Sequence, residues 1–287
     1  MSQMIQSLAL GVGYVIFGVI VLLIAKLIKD MTTSYKLDEE LTAKDNPAIG
    51  VVLAGYFAGV VIVFLGSVLG PGSGEPLSVQ VILKMLGTDL AYALGGIVVL
   101  NIGRVIVDKL VLNQFSTTKE IIEDRNVGTA AVEAGCFVAT ALIVAGAIHG
   151  EGGGPESAVA FFILGQLVLV LFCKFYQAIT KYDIHAEIEQ DNVAAGMALG
   201  FSMVAIGIIV LKASSGDLID WSTKLQWFGI DVVLGCVLLM VLRKATDALF
   251  LPGTTISQEI AKDKNLNAAW VEGVVATGIA SIIFFVV

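Results

Sequence analysis

Eight long apolar stretches, separated by short polar segments, follow one another along the chain. A helix needs about 20 largely apolar residues to cross the hydrocarbon core of a bilayer, and each stretch meets that length. The pattern therefore predicts an all-α, polytopic membrane protein with eight transmembrane helices. Their expected ranges are 5–29, 47–70, 87–111, 127–149, 157–180, 192–214, 224–247 and 266–287.

The composition agrees with a chain that is solvated by lipid. Apolar residues make up 57% of the 287 positions and charged residues only 15%, against roughly 25% charged residues in soluble domains. The mean hydropathy is +0.89. A net charge of −8 excludes a nucleic-acid binder, because such proteins need a basic surface. No basic residue precedes Lys26, so the first stretch is not expected to be a cleaved signal peptide.

No metal site, cofactor or enzyme motif is expected. The three cysteines (Cys136, Cys173 and Cys236) lie inside apolar stretches without C-x-x-C spacing, and the two histidines (His149 and His185) are far apart. The sequence also lacks H-E-x-x-H, G-x-S-x-G and P-loop signatures. The cysteines are interpreted as small core residues.

Lysine and arginine are distributed unevenly between the two sides of the predicted bundle. The segments after the first, third, fifth and seventh stretches, with the adjoining helix ends, hold 14 of the 17 basic residues. Because basic residues concentrate on the cytoplasmic side of membrane proteins, this side is expected to be cytoplasmic. Both chain termini are then expected on the opposite side.

A helical hairpin with a polar joint occurs four times. The joints are DNPAIG (45–50), RNVGTA (125–130), DNVAAG (191–196) and KNLNAA (264–269). Each contains one asparagine at the start of the returning helix, where its side chain can cap free backbone amides: Asn46, Asn126, Asn192 and Asn265. A glutamate lies five or six residues before each asparagine: Glu40, Glu120, Glu187 and Glu259.

Alternate hairpins are the more similar ones, which indicates that a four-helix module was duplicated. The first module is expected at 1–149, a linker at 150–156 and the second module at 157–287. Since each module has an even number of spans, the two should be parallel and related by an axis along the membrane normal.

The four hairpins, the D-N-x-A-x-G joint and the basic-then-acidic end of the first helix, KLIKD (26–30), carry a family resemblance. The chain resembles the bacterial family called domain of unknown function 350, in two tandem copies that cover it almost completely. The resemblance implies a bacterial inner-membrane protein from a family without an assigned activity. It also implies an association with envelope-stress genes, in whose neighbourhood relatives occur.

Charged residues recur near the ends of the first helix of each hairpin. Bases stand at matching positions: Lys26, Arg104, Lys174 and Arg243. In three hairpins an acid follows four residues later: Asp30, Asp108 and Asp247. This spacing places base and acid on one face of a helix.

Two glutamates lie deeper, in the returning helices of the second and fourth hairpins. Glu133 and Glu272 follow the joint asparagine by seven residues, or about 10 Å at 1.5 Å per residue. Intramembrane charges are costly when unpaired, so we expect ion pairs between Arg104 and Glu133 and between Arg243 and Glu272. Either these pairs are structural clasps, or they line a polar cavity in which the carboxylates bind a cation or exchange a proton, with Lys26 and Lys174 nearby.

Two further features have alternative interpretations. Asp89 and Asp231, near the non-cytoplasmic ends of their helices, are either solvated interfacial residues or an outer vestibule for cations. The G-x-x-x-G motifs at Gly55 and Gly59 and at Gly196 and Gly200 favour close helix packing inside the bundle. Dimerisation, giving a homo-oligomer, is the alternative.

Two functions are therefore considered. The first is a small-cation or proton channel or transporter that uses Glu133 and Glu272. The second is a non-transporting scaffold of the envelope-stress response, whose acidic segments at 38–45 and 186–191 dock a cytoplasmic protein partner.

Overall fold

A computed structural model describes residues 2–69, 78–250 and 253–286, except for the side chains of residues 2–7, 242–243 and 247–250. All regular structure in these residues is helical. The elements are α1 (Ser2–Thr32), a π-helical turn (Glu39–Ala43), α2 (Pro47–Val68), α3 (Val79–Leu110), α4 (Thr117–Ile122), α5 (Val127–Ala147), α6 (Pro155–Ile179), α7 (Ile184–Glu189), α8 (Val193–Ser214), α9 (Trp221–Phe250), α10 (Ile256–Ala261) and α11 (Leu266–Val286).

The eight long helices are long and apolar enough to cross a membrane, which confirms the predicted number of spans. Their ends differ from the predicted ranges, most clearly in α3, which begins at Val79 instead of residue 87. Ser78 caps this helix, because its hydroxyl accepts a hydrogen bond from the Val81 amide at 3.2 Å. The predicted range begins too late because Lys84 interrupts the apolar run. A lysine near a helix end can extend its amine to the interface, so the helix continues through Lys84.

The four returning helices form a row in the order α2, α5, α8, α11, each packed against the next. The first helices of the later hairpins lie over the grooves of this row: α3 over α2 and α5, α6 over α5 and α8, and α9 over α8 and α11. The short elements all lie at one end of the bundle, which we call the short-helix face. Helix α1 packs on α2 and α3, and its apolar side chains are largely exposed, as lipid contact requires.

Both G-x-x-x-G motifs pack against α5, at the centre of the row. A Cβ atom added at Gly196 or Gly200 would meet the α5 backbone, and one added at Gly55 or Gly59 would meet it from the other side. The motifs therefore serve packing within the chain, since these glycine surfaces are occupied by α5 and are closed to a second copy.

Replacing Gly196 with alanine is expected to lower the free energy of unfolding by about 1–3 kcal/mol, the usual cost of overpacking a close contact. The added methyl would meet the backbone at Gly128, which cannot move as a side chain could. Gly95 in α3 is the matched control, because a methyl there meets nothing within 4 Å. Thermal unfolding of both purified variants in detergent tests this, and equal midpoints would contradict it.

Candidate functional site

Each hairpin turns through the same joint at the short-helix face. A short helical element is followed by one residue in the left-handed region and then by the asparagine that begins the returning helix. The left-handed residues are Asp45 (φ 47°), Arg125 (φ 56°), Asp191 (φ 57°) and Lys264 (φ 47°). The short elements were not predicted, because five or six residues are too few to show a helical period.

Each joint asparagine caps its returning helix and binds the preceding glutamate. The side-chain oxygen accepts a backbone N–H of the first turn at 3.0 to 3.2 Å in all four hairpins. The side-chain nitrogen donates to a glutamate carboxylate. These acceptors are Glu40 (3.3 Å), Glu120 (2.9 Å), Glu187 (2.7 Å) and Glu259 (2.7 Å).

Three of the asparagines also bind the next hairpin, which the sequence did not indicate. The same side-chain nitrogen donates to a backbone carbonyl in the short helix of the following unit. The bonds run from Asn46 to Ile121 (2.9 Å), from Asn126 to Ile188 (2.6 Å) and from Asn192 to Ile260 (2.7 Å). We call this series the asparagine ladder. It links the four hairpins in chain order.

The glutamates of the ladder differ in their surroundings. A hydrogen bond from Lys44 is the main cause that lowers the pKa of Glu40. Burial instead raises the pKa of Glu120, although Asn126 donates to it. The lysine is therefore an extra stabilising contact for the ionised carboxylate of Glu40.

The deeper charges of the first module form a buried cluster. Arg104 Nε lies 2.8 Å from Glu133 Oε1, so the expected contact between these residues is present. Lys29 Nζ lies 3.4 Å from the same oxygen. The side chains of Lys29 and Glu133 are only 1% and 4% exposed. Two cations on one carboxylate leave a formal charge of +1 in this cluster, which makes it a poor site for a further cation.

Lys29 was missed by the sequence analysis. Its amine also lies over two aromatic rings, 4.6 Å from the centroid of Phe137 and 5.3 Å from that of Tyr56, where cation–π attraction applies. Lys29 does not recur between the hairpins as Lys26 does, since its equivalent in the third hairpin is Gln177. Lys26 and Lys29 differ by about 60° around the helix axis, so they face different neighbours.

Tyr35, just outside the first span, borders the same cluster. Burial, followed by the charge of Glu133, raises the pKa of Tyr35 to about 12. The phenol therefore stays neutral at physiological pH and adds no further charge.

The expectation that Lys26 and Lys174 lie near the glutamates is wrong. Lys26 Nζ pairs with Asp38 at 2.6 Å on the surface, where the side chain of Asp38 is 75% exposed. Lys174 is exposed on α6.

Two of the acids that follow the bases, Asp30 and Asp108, bind residues that lead into the short helical elements. Asp30 accepts a hydrogen bond from the Leu37 amide at 2.9 Å. Asp108 accepts one from the Thr117 hydroxyl at 2.6 Å. Each thus holds the chain as it leaves the first helix of its hairpin. Asp247 and Arg243 have side chains outside the described residues, so the pair of Arg243 with Glu272 stays a prediction.

In the second module, Glu272 lines a cavity. Its side chain is buried, and the Tyr176 hydroxyl lies 3.5 Å from its Oε1. Residues of α6, α8, α9 and α11 line the cavity, which is partly open at the exposed side chains of Phe175 and Ile179 and is large enough to admit water-sized molecules. Ser202 and Thr246 add two more hydroxyls to its lining, while the rest of its wall is mostly apolar.

The two modules differ because large residues of the first are replaced by small ones in the second. Counted from the joint asparagine, Ser202 occupies the position of Tyr56, and Ala276 that of Phe137. In place of Lys29, Gln177 turns away to His185 of α7, 2.6 Å from its Nδ1. The same place in the fold is therefore filled in one module and hollow in the other.

The two outer aspartates are held by different partners. Asp89 accepts a hydrogen bond from the Tyr14 hydroxyl at 3.0 Å and is buried, so the expectation that it is solvated is wrong. Asp231 is partly buried and pairs with Lys212 at 2.7 Å. The structure thus places one acid between α1 and α3 and the other between α8 and α9.

Eight apolar spans built from one repeated hairpin define a polytopic α-helical membrane protein with an internal repeat. The model of the family described as Domain of Unknown Function (DUF350) matches residues 3–148 and again residues 153–287, and the chain belongs to that family. It is also similar to a UPF0719 transmembrane protein of Aquifex aeolicus (strain VF5). The two are 24% identical over 254 residues, which are 86% of this chain and 87% of that protein. No solved structure was found to match the chain.

Proposed function

We propose that this protein moves protons across the membrane and that Glu272 is the group that binds and releases them. One observation carries the proposal: a buried carboxylate lines a cavity together with the hydroxyls of Tyr176, Ser202 and Thr246. Ionisable groups inside a span are costly, and in pumps and transporters they mark proton relays. Hydroxyls that donate and accept can relay a proton to such a carboxyl.

Glu133 has a different role in this proposal. Lys29 and Arg104 both contact its carboxylate, and the neighbouring rings fill the surrounding space. We assign it the structural clasp, which holds α1, α3 and α5 in register. The duplicated position thus serves stability in the first module and proton exchange in the second.

A proton suits the cavity better than a metal cation. A bare ion that loses its water needs several oxygen ligands, whereas the wall beside Glu272 includes Phe172, Phe175, Ile179 and other apolar side chains. A proton needs only the carboxyl group and a short relay of hydroxyls or water.

Asp231 is the proposed continuation toward the opposite face. It lies on α9, the helix that also carries Thr246, 15 residues earlier, or about 22 Å along the axis. Its pairing with Lys212 keeps an ionisable pair near that end of the second module. Asp89 is held by Tyr14 in the other module and is not part of this path.

The proposed setting is the inner membrane of a bacterium, with the short-helix face in the cytoplasm and both termini on the other side. The uneven distribution of lysine and arginine supports this orientation. Protons would then reach Glu272 from the cytoplasmic half of the bundle.

Proton flux into proteoliposomes tests the proposal, with an enclosed pH-sensitive dye and an imposed pH gradient of either direction. Wild-type protein should carry flux, and Glu272→Gln should abolish it, because an amide cannot exchange a proton at neutral pH. Glu189→Gln, at an exposed acid of α7, is the matched control and should keep wild-type flux. Each variant is first shown to unfold at a temperature close to that of the wild type.

A second variant tests the cavity without removing the carboxylate. Ala276→Phe introduces the ring that the first module carries at this position and should also block flux. The absence of wild-type flux in both gradient directions would contradict the proposal and leave the scaffold as the next hypothesis. Nothing in the first acidic segment favours that scaffold: Asp38 pairs with Lys26, and Lys44 pairs with both Glu39 and Glu40.

A further inference from the structure

The two ends of the row of hairpins differ. One end has a joint asparagine without a carbonyl acceptor in a following hairpin, and the other has the equivalent carbonyl without a donor asparagine. In the asparagine ladder, each of the first three joint asparagines binds a carbonyl of the next unit, and these three bonds join four units. Leu41, the residue after Glu40, is the equivalent of Ile121, Ile188 and Ile260. Asn265 has no following unit within the chain, and Leu41 has no preceding one.

The burial of the asparagines agrees with this difference. Asn46, Asn126 and Asn192 are buried, whereas Asn265 is only partly buried. Asn265 still binds Glu259 and still caps α11, so its local geometry matches that of the others. Asn265 differs from the other three asparagines only in that no following hairpin of the chain packs against it.

The helix faces at the two ends also match. Within the row, the residue nine positions after one joint asparagine contacts the residue eight positions after the next. The three pairs are Gly55 with Ala134, Gly135 with Gly200, and Phe201 with Gly273. The same rule would bring Val274, 57% exposed at the free side of α11, onto the exposed Ala54 of α2. A large residue would again meet a small one, as Phe201 meets Gly273.

A second level along the helices follows the same rule. Gly66 contacts Ala145, and Gly146 contacts Leu211. In each pair the first residue lies 20 positions after its joint asparagine, and the second lies 19 positions after the next joint asparagine. Between two copies of the chain, the same rule would pair Phe285 of one copy, which is 82% exposed, with the exposed Leu65 of the other. At the joint, a methyl group added at Gly50 would meet nothing within 4 Å, whereas the counterpart Gly196 is closed by the α5 backbone.

Helix α1 is the third incomplete feature. The first helices of the other three hairpins each pack on two returning helices, their own and the preceding one. Among the returning helices α1 packs mainly on its own α2, and its remaining surface carries exposed apolar side chains. The place of a preceding returning helix is therefore open between α1 and α2.

We propose that copies of this protein assemble head to tail, with α11 of one copy packed on α1 and α2 of the next and Asn265 donating to the Leu41 carbonyl. The contact continues the interface that already joins the hairpins within one chain. It is heterologous, because two different surfaces meet, and it produces a ring if the rotation closes. All copies keep the same orientation in the membrane. The inference is independent of the proposed proton pathway.

Cysteine cross-linking in native membranes tests the assembly. Two copies with different tags are co-expressed in a Cys236→Ser background, since Cys136 and Cys173 are buried. One copy carries Ala54→Cys and the other Val274→Cys. Oxidation should give a product with both tags. Leu171→Cys, at an exposed position of α6, replaces Ala54→Cys in the matched control and should give none.

Further variants decide whether a head-to-tail copy, a two-fold dimer or lipid covers the exposed faces of α2 and α11. Adding Asn265→Ala to the copy that carries Val274→Cys should remove most of the cross-linked product. In a separate measurement, Ala54→Trp should reduce the size of the membrane-extracted assembly, because the larger side chain blocks the contact. A product between two copies of Ala54→Cys would mean a two-fold dimer and would overturn the proposal. Absence of any product, when a membrane-permeant maleimide labels both cysteines, would mean that lipid covers the surface and would also overturn it.

Discussion

Replacing Glu133 with glutamine is expected to lower the free energy of unfolding by about 3–5 kcal/mol, the usual cost of removing one partner from a buried ion pair. The substitution keeps the size of the side chain but leaves Lys29 and Arg104 without their shared counter-charge. Lys29 is almost completely buried and cannot regain water without separating α1 from α5. The first module should therefore be strongly destabilised.

Thermal unfolding of the purified protein in detergent measures this effect, with Asp38→Asn as the control. Lys26 and Asp38 are also an ion pair, and at 2.6 Å they are closer than either contact of Glu133. Their side chains are 39% and 75% exposed, and ion pairs in contact with water contribute only about 0–1 kcal/mol. The control should therefore leave the unfolding temperature nearly unchanged, because burial and not distance determines the cost.

A combined variant shows whether the loss of stability comes from unpaired charges or from any substitution at this place in the fold. Glu133→Leu places the residue of the first and third hairpins, Leu53 and Leu199, at this position. Together with Lys29→Met and Arg104→Met it removes all three charges, and apolar replacement of a buried ionic group is often neutral or stabilising. The triple variant should recover most of the stability that Glu133→Gln loses. A triple variant as unstable as the single one would exclude the clasp.

Replacing Asn126 with alanine is expected to lower the free energy of unfolding by about 2–4 kcal/mol. The substitution removes the cap of α5, usually worth about 1 kcal/mol. It also removes the hydrogen bonds to Glu120 and to the Ile188 carbonyl and leaves both acceptors buried, at about 1–3 kcal/mol for an unsatisfied group.

Asn265→Ala is the control that the repeat itself provides. Asn265 makes the same cap and the same glutamate bond, but it binds no following hairpin within its chain. In monomeric, detergent-solubilised protein its loss should cost about 1–2 kcal/mol. The difference between the two variants measures the bond between hairpins. Equal losses would show that the bond from Asn126 to Ile188 adds nothing to stability.

The pattern along the chain was sufficient to predict eight spans, four hairpins and the asparagine at each joint. These features follow from local chemistry. A span must be long and apolar because lipid offers no hydrogen bonds to the backbone, and a capping residue must stand at the first turn of its helix. The contact of Arg104 with Glu133 was also predictable, because adjacent antiparallel helices bring residues of equal depth together.

The role of Lys29, the ladder bonds and the hollow beside Glu272 depended on the tertiary structure. A single sequence showed that Lys26 recurs in register with other bases, but the neighbours of a residue depend on which helices pack together. The hollow results from Ser202 and Ala276 on two different helices, at positions filled by Tyr56 and Phe137 in the first module. Small residues leave a cavity only where their helices face each other, and the row of returning helices determines that arrangement.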